Sequence, residues 1–121
     1  MKTRSFFDSL KIAFFGIRSA AKRERNFRAQ IITAIAAVLV CIIFQVSTIH
    51  FVFVALAIFF VLAAELINTA IEAVVDLITG GKPHPLAKIA KDSAAGAVLL
   101  ASVFALVVAA VVLIEILRGF L

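Results

Sequence analysis

Apolar and polar positions divide the chain into four blocks. In the first, Phe6, Leu10, Ala13, Phe14, Ile17 and Ala21 recur at helical spacing, while Asp8, Lys11, Arg18 and Lys22 collect on another face. The pattern predicts an amphipathic helix, about residues 5–27, lying in a membrane surface. An apolar run from Ile31 to Phe44 follows, and with its flanks Arg28 and Val46 it approaches the ~20 residues a spanning helix needs. It predicts a first transmembrane helix at about 28–46. Past a polar turn at Ser47, Thr48 and His50, a second run starts at Phe51, stays uncharged to Ala64 and continues through AAELINTAIEAVVDLI. This predicts a second span at about 50–79, ended by Gly80, Gly81, Pro83 and Pro85, because glycine frees the backbone and proline cannot continue the hydrogen-bond ladder. Pro85 suits the first turn of a third span, about 86–117, which carries Lys88, Lys91 and Asp92 before an apolar run from Ala94 to Ile114. No repeat, low-complexity stretch or linker divides the chain. The expectation is an all-α integral membrane protein, one domain over residues 1–121 with a surface helix and three transmembrane helices.

Composition agrees with this reading. Hydrophobic residues make up 64% of the 121, and the mean hydropathy is +1.19, whereas a soluble domain is about half apolar. A chain this short cannot enclose that much apolar surface, so lipid must cover it. Cys41 is the single cysteine and sits within an apolar run, where a small buried residue is the simple reading; one thiol builds neither a disulfide framework nor a thiolate metal site. Asp8, Lys11 and Arg18 interrupt the N-terminal apolar positions, so a secretory signal is not expected.

Charge sets an expected orientation. Eight of the twelve Lys and Arg residues (Lys2, Arg4, Lys11, Arg18, Lys22, Arg23, Arg25 and Arg28) precede the first span, none lies in the turn after it, and Lys82, Lys88 and Lys91 lie between the second span and the third apolar run. The bias puts the N-terminus and the second loop in the cytoplasm. The net charge of +5 then reflects attraction to an anionic leaflet; no soluble basic surface is available for nucleic acid.

The acids of the second span need an explanation. At about 100° per residue, Glu65, Asn68, Thr69, Glu72 and Asp76 fall within roughly a third of the helix circumference. An unpaired carboxylate in hydrocarbon costs several kcal/mol, so this stripe must face water, a metal ion, cationic partners or protonated acids. A stripe that only bonds neighbouring helices is the plainer alternative, although such contacts usually use Ser, Thr or Asn. The same leaflet should hold Glu24, at the junction before the first span, and Lys91 and Asp92, at the entrance to the third. Carboxylates, an asparagine and a lysine converging on a cytoplasmic boundary suit Mg²⁺ and a nucleotide: magnesium takes hard oxygen ligands, and a lysine can neutralise phosphate. GKPHP at Gly81 to Pro85 lacks the spacing of a phosphate-binding P-loop. From the residues alone the reading is a membrane protein with a carboxylate site facing the cytoplasm, its metal-binding role open.

Three stretches carry a resemblance: RERNFRAQ from Arg23 to Gln30, ELINTAIEAVVDLI from Glu65 to Ile78, and HPLAKIAKDSAAGAVL from His84 to Leu99. Together they resemble the prokaryotic diacylglycerol kinase family of small three-span lipid kinases. The wording HPLAKIAKD is most similar to its undecaprenol kinase branch, common in Gram-positive bacteria. The resemblance implies transfer of the γ-phosphate of MgATP to the primary hydroxyl of a membrane lipid, undecaprenol first and diacylglycerol next, for lipid-carrier or phospholipid recycling. It also implies a bacterial inner-membrane homotrimer with sites shared between neighbouring chains. Carried over residue by residue, it implies Glu65 as general base, Glu24 and Glu72 as Mg²⁺ ligands, and Asn68, Lys91 and Asp92 around the nucleotide and the reacting phosphate. Asp76 matches a further acid near the nucleotide. One position departs: the glutamine that follows the family's Phe-Arg pair falls at Ala29, and this chain has Gln30 instead.

Other residues carry plainer expectations. His50 is a solvated turn residue and His84 a loop or helix-start residue. Ser93, Gly96, Ala97 and Ala101 form a small-residue seam suited to helix packing and to a trimer. Two rival functions stay open, a small transporter or proton-conducting subunit with acids at mid-bilayer, and a non-catalytic assembly protein that needs no such constellation.

Overall fold

The computed structural model describes residues 4–121; Lys2, one of the cations counted before the first span, lies outside them. Four helices follow in chain order: α1 (Phe6–Arg23), α2 (Arg25–Ile43), α3 (Thr48–Thr79) and α4 (Pro85–Arg118). The described chain is all-α, and α2, α3 and α4 are each long and apolar enough to cross a membrane. At 1.5 Å per residue, the 32 residues of α3 reach about 48 Å, well beyond a hydrocarbon core of ~30 Å. The end of α3 that carries its acids therefore has room to stand outside that core.

Each boundary has a local cause. Ser5 begins α1 with a reciprocal capping box: its hydroxyl accepts from the Asp8 amide at 3.2 Å, and the Asp8 carboxylate accepts from the Ser5 amide at 3.4 Å. Helix α1 ends at Arg23, earlier than the expected residue 27, because Glu24 takes an extended conformation at φ −103° and ψ 111°. The Arg28 guanidinium then turns back and donates to the carbonyl oxygens of Ala21 and Lys22 at 3.1 and 2.9 Å, satisfying the end of α1 that no further turn would satisfy. Phe27, 1% exposed, is the most deeply buried side chain and anchors this corner.

The α2–α3 turn passes through Gln45 in the left-handed region at φ 51°, and the Val46 amide returns to the Cys41 carbonyl at 3.2 Å. Ser47 caps α3 by accepting from the His50 amide at 3.4 Å and also bonds the His50 ring, so His50 belongs to the helix start. Gly80 closes α3 at φ 62°, where a side chain would be strained. His84 caps α4, its Nδ1 accepting from the Leu86 amide at 3.1 Å, with Pro85 in the first turn. This is the helix-start role expected of His84.

Packing within the chain is thin. Cys41, Val54, Ala57, Val108 and Val112 make one buried apolar cluster joining α2, α3 and α4, with Phe60 and Phe104 edge to face at 5.9 Å beside it on α3 and α4. Cys41 is thus the small buried residue expected of it. The accessible surface is 9352 Å², against about 6,300 Å² for a soluble monomer of this mass. Leu77, Leu100, Phe59 and many other large apolar side chains stand exposed. The molecule is therefore multi-pass and lipid-covered on its outside. Of the seam Ser93, Gly96, Ala97 and Ala101, Ser93 and Ala97 are exposed and Gly96 and Ala101 half-buried, and a Cβ added at Gly96 would meet nothing within 4 Å.

Candidate active site

The polar stripe of α3 falls along a gradient of burial. Glu65 is 6% exposed and is the one buried polar residue among those described. Asn68 and Thr69, one turn further, are half-buried, while Glu72 and Asp76 are exposed. The innermost acid is therefore buried by protein and the outer ones are open.

Neighbouring elements hold each member. From α2, Gln30 donates its amide Nε2 to Oε2 of Glu65 at 3.4 Å. Within α3, Asn68 donates to Oε1 of Glu72 at 3.3 Å, one helical turn apart. At the loop end, Lys91 of α4 donates to Oδ1 of Asp76 at 2.7 Å. Asp92 pairs with Lys88 at 2.5 Å on the exposed face of α4. Lys91 and Asp92, adjacent in sequence, thus face different partners. Both ion pairs are solvent-exposed, so each contributes little to the stability of the fold. Glu24 lies half-buried at the α1–α2 corner, where its side chain makes no capping bond or ion pair among the described residues.

Among the described residues, no three His, Cys, Asp or Glu side chains converge on one point. The donor set nevertheless fits magnesium. The bond from Asn68 fixes the Glu72 carboxylate, and Oδ1 of Asn68 is a buried amide oxygen with no hydrogen-bond partner. Magnesium commonly takes one or two carboxylate oxygens and completes its shell with phosphate and water. The sequence did not disclose Gln30 as a neighbour of Glu65; its displacement by one position from the family's glutamine was the one signal. Beside Gln30 and Thr33 begins an apolar groove of about 530 Å³, which runs between the three long helices to Cys41 and Val112.

Fold and site together define a class: a multi-span membrane protein with one sealed carboxylate at the inner end of a polar stripe and an apolar groove beside it. Sequence comparison narrows the class. The profile of the prokaryotic diacylglycerol kinase family matches residues 11–113, and the chain belongs to this kinase family. A diacylglycerol kinase of Synechocystis sp. is 43% identical over 100 residues, 83% of this chain and 57% of that protein. An undecaprenol kinase of Bacillus subtilis is 43% identical over 103 residues, 85% of this chain and 83% of the relative. The diacylglycerol kinase of Escherichia coli strain K12 is 36% identical over 92 residues, 76% and 75% of the two chains. The chain thus spans little more than half the length of the Synechocystis relative.

Proposed function

We propose that this protein is a lipid kinase that transfers the γ-phosphate of ATP, supplied with Mg²⁺, to the primary hydroxyl of a membrane lipid at the cytoplasmic boundary. The observation that carries this reading is the sealed carboxylate of Glu65 at the head of the stripe, since a buried acid inside a membrane is functional by default. Glu65 takes the hydroxyl proton as the lipid oxygen bonds the γ-phosphorus and the bond to the β,γ-bridging oxygen breaks, releasing ADP. Phosphoryl transfer depends on positioning and charge neutralisation more than on covalent help. Glu72 and Glu24 would hold the metal, which when bound neutralises phosphate charge. Lys91 releases Asp76 to meet the phosphates, while Asn68, Asp76 and Asp92 line the nucleotide. The groove beside Gln30 supports an acceptor with a hydrocarbon tail.

Undecaprenol is the first choice of lipid and diacylglycerol the second. The relatives bearing each name are both 43% identical, so the ranking rests on the HPLAKIAKD wording. The exposed apolar surface supports a homotrimer, with Glu24 of one chain completing the site of its neighbour; the open seam around Gly96 is a surface on which copies can pack. Incubating purified protein with MgATP and bilayers containing undecaprenol, diacylglycerol or neither tests the proposal. A phosphorylated lipid alcohol is the expected product. No lipid product with any acceptor, in protein that binds MgATP, would overturn it.

A further inference from the structure

Glu65 has one side-chain contact to another helix, and it comes from a residue without an assigned role. Gln30 reaches across 35 positions of sequence to donate Nε2 to Oε2 of Glu65, the one side-chain hydrogen bond between α2 and α3 among the described residues. The amide presents its NH₂ group to the carboxylate. The orientation has a cost. Oε1 of Gln30 is left buried with no partner, and an unmade bond of this kind costs about 1–3 kcal/mol. At 3.4 Å the contact is long for an N–H···O bond, and it is too weak to offset that cost by energy alone. What it supplies is direction: Oε2 is occupied, while Oε1 of Glu65 accepts no side-chain bond from the described residues. Gln30 also lines the apolar groove between the three long helices, so it touches both that groove and Glu65.

We propose that Gln30 is a positioning residue for Glu65, holding one carboxylate oxygen and leaving the other for the lipid hydroxyl. The inference rests on the reading of Glu65 as general base. Gln30 touches no reacting atom and acts through Glu65, which distinguishes it from a helix-packing contact that would matter whatever Glu65 does.

A double-mutant cycle on the full chain in bilayers separates the two roles, because residues that act through one another are not additive. Phosphate transfer to the lipid alcohol is measured at saturating MgATP for the parent, Gln30→Leu, Glu65→Gln and the double variant, with the KM for MgATP alongside. Gln30→Leu should lower kcat on the order of 10-fold to 100-fold, the range expected when a reacting group is misplaced, and leave the KM for MgATP unchanged. In the Glu65→Gln background the same substitution should cost less than about 2-fold. Gln30→Met keeps the size and removes the donor without adding a charge, so it should be as slow as Gln30→Leu and serves if that variant fails to assemble. Equal losses from Gln30→Leu in both backgrounds, or a raised KM with kcat intact, would overturn the positioning role while leaving the base in place. A Glu65→Gln variant as fast as the parent would overturn the base and the positioning role together.

Discussion

At the scale of single residues, burial separates side chains that composition alone leaves equivalent. Glu65, Glu72 and Asp76 are all acids on one face of α3, yet the first is sealed and the others are open. The sealed acid suits proton transfer, and the open ones suit hydrated ions. The metal assignment is checked by titrating Mg²⁺ against transfer rate. Glu72→Gln and Glu24→Gln should each raise the Mg²⁺ requirement at least 10-fold or abolish turnover, whereas Glu115→Gln, exposed on the last turns of α4, should leave it unchanged. A parental Mg²⁺ dependence in either of the first two would remove that acid from the site. Lys91 gives a second residue-scale test. If it meets phosphate after leaving Asp76, Lys91→Met should raise the KM for MgATP about 10-fold or more while leaving thermal stability nearly unchanged, since the exposed pair contributes little to the fold. A large stability loss with unchanged KM would make the pair structural.

At the scale of elements, the α3–α4 loop was legible, while the α1–α2 break and the end of α2 at Ile43, expected near 27 and 46, were not. Gly80, Gly81 and Pro85 announce the α3–α4 loop because they act on the backbone directly, whereas Ser47, read as part of a polar turn, proves to cap α3. The break at Glu24 carries no glycine or proline. It depends on Arg28 folding back onto the carbonyls of Ala21 and Lys22 and on Phe27 burying itself, contacts that exist only once the corner has formed. The same limit explains why the partners of Gln30 and Lys91 were not readable: each lies on a different helix, and helical periodicity gives a face but not what docks against it. Arg28→Ala should therefore loosen the corner, with faster amide hydrogen exchange over residues 20–24 and about 1 kcal/mol less protection there. Unchanged exchange would mean that the guanidinium bonds do not hold it.

At the scale of the whole molecule, the excess of exposed apolar surface is the physical signature of life in a bilayer, and the polar stripe is the exception within it. The lysine and arginine bias predicts which side that exception faces. A membrane-impermeant thiol reagent should label Thr48→Cys from outside intact cells and Lys82→Cys only after the membrane is opened; native Cys41, 3% exposed, should stay silent in both. Reversed labelling would place the stripe away from cytoplasmic ATP. The trimer and the lipid's identity were not readable from one chain for a related reason, since both depend on what covers a surface the chain itself leaves open.

The central claim is that a buried carboxylate does the chemistry, and Glu65→Gln tests it most directly. Glutamine keeps the size and hydrogen bonding of the side chain but cannot take the hydroxyl proton. It also removes a charge that is costly to bury, so the variant should fold. Measured together in one bilayer preparation, MgATP binding should stay within about 3-fold of the parent, while phosphate transfer to the lipid alcohol at saturation should fall ~10²–10⁴-fold, the usual loss of general-base help. Transfer at the parental rate, or a collapse of nucleotide binding with the saturated rate intact, would contradict the account and move the search for the base to Asp92.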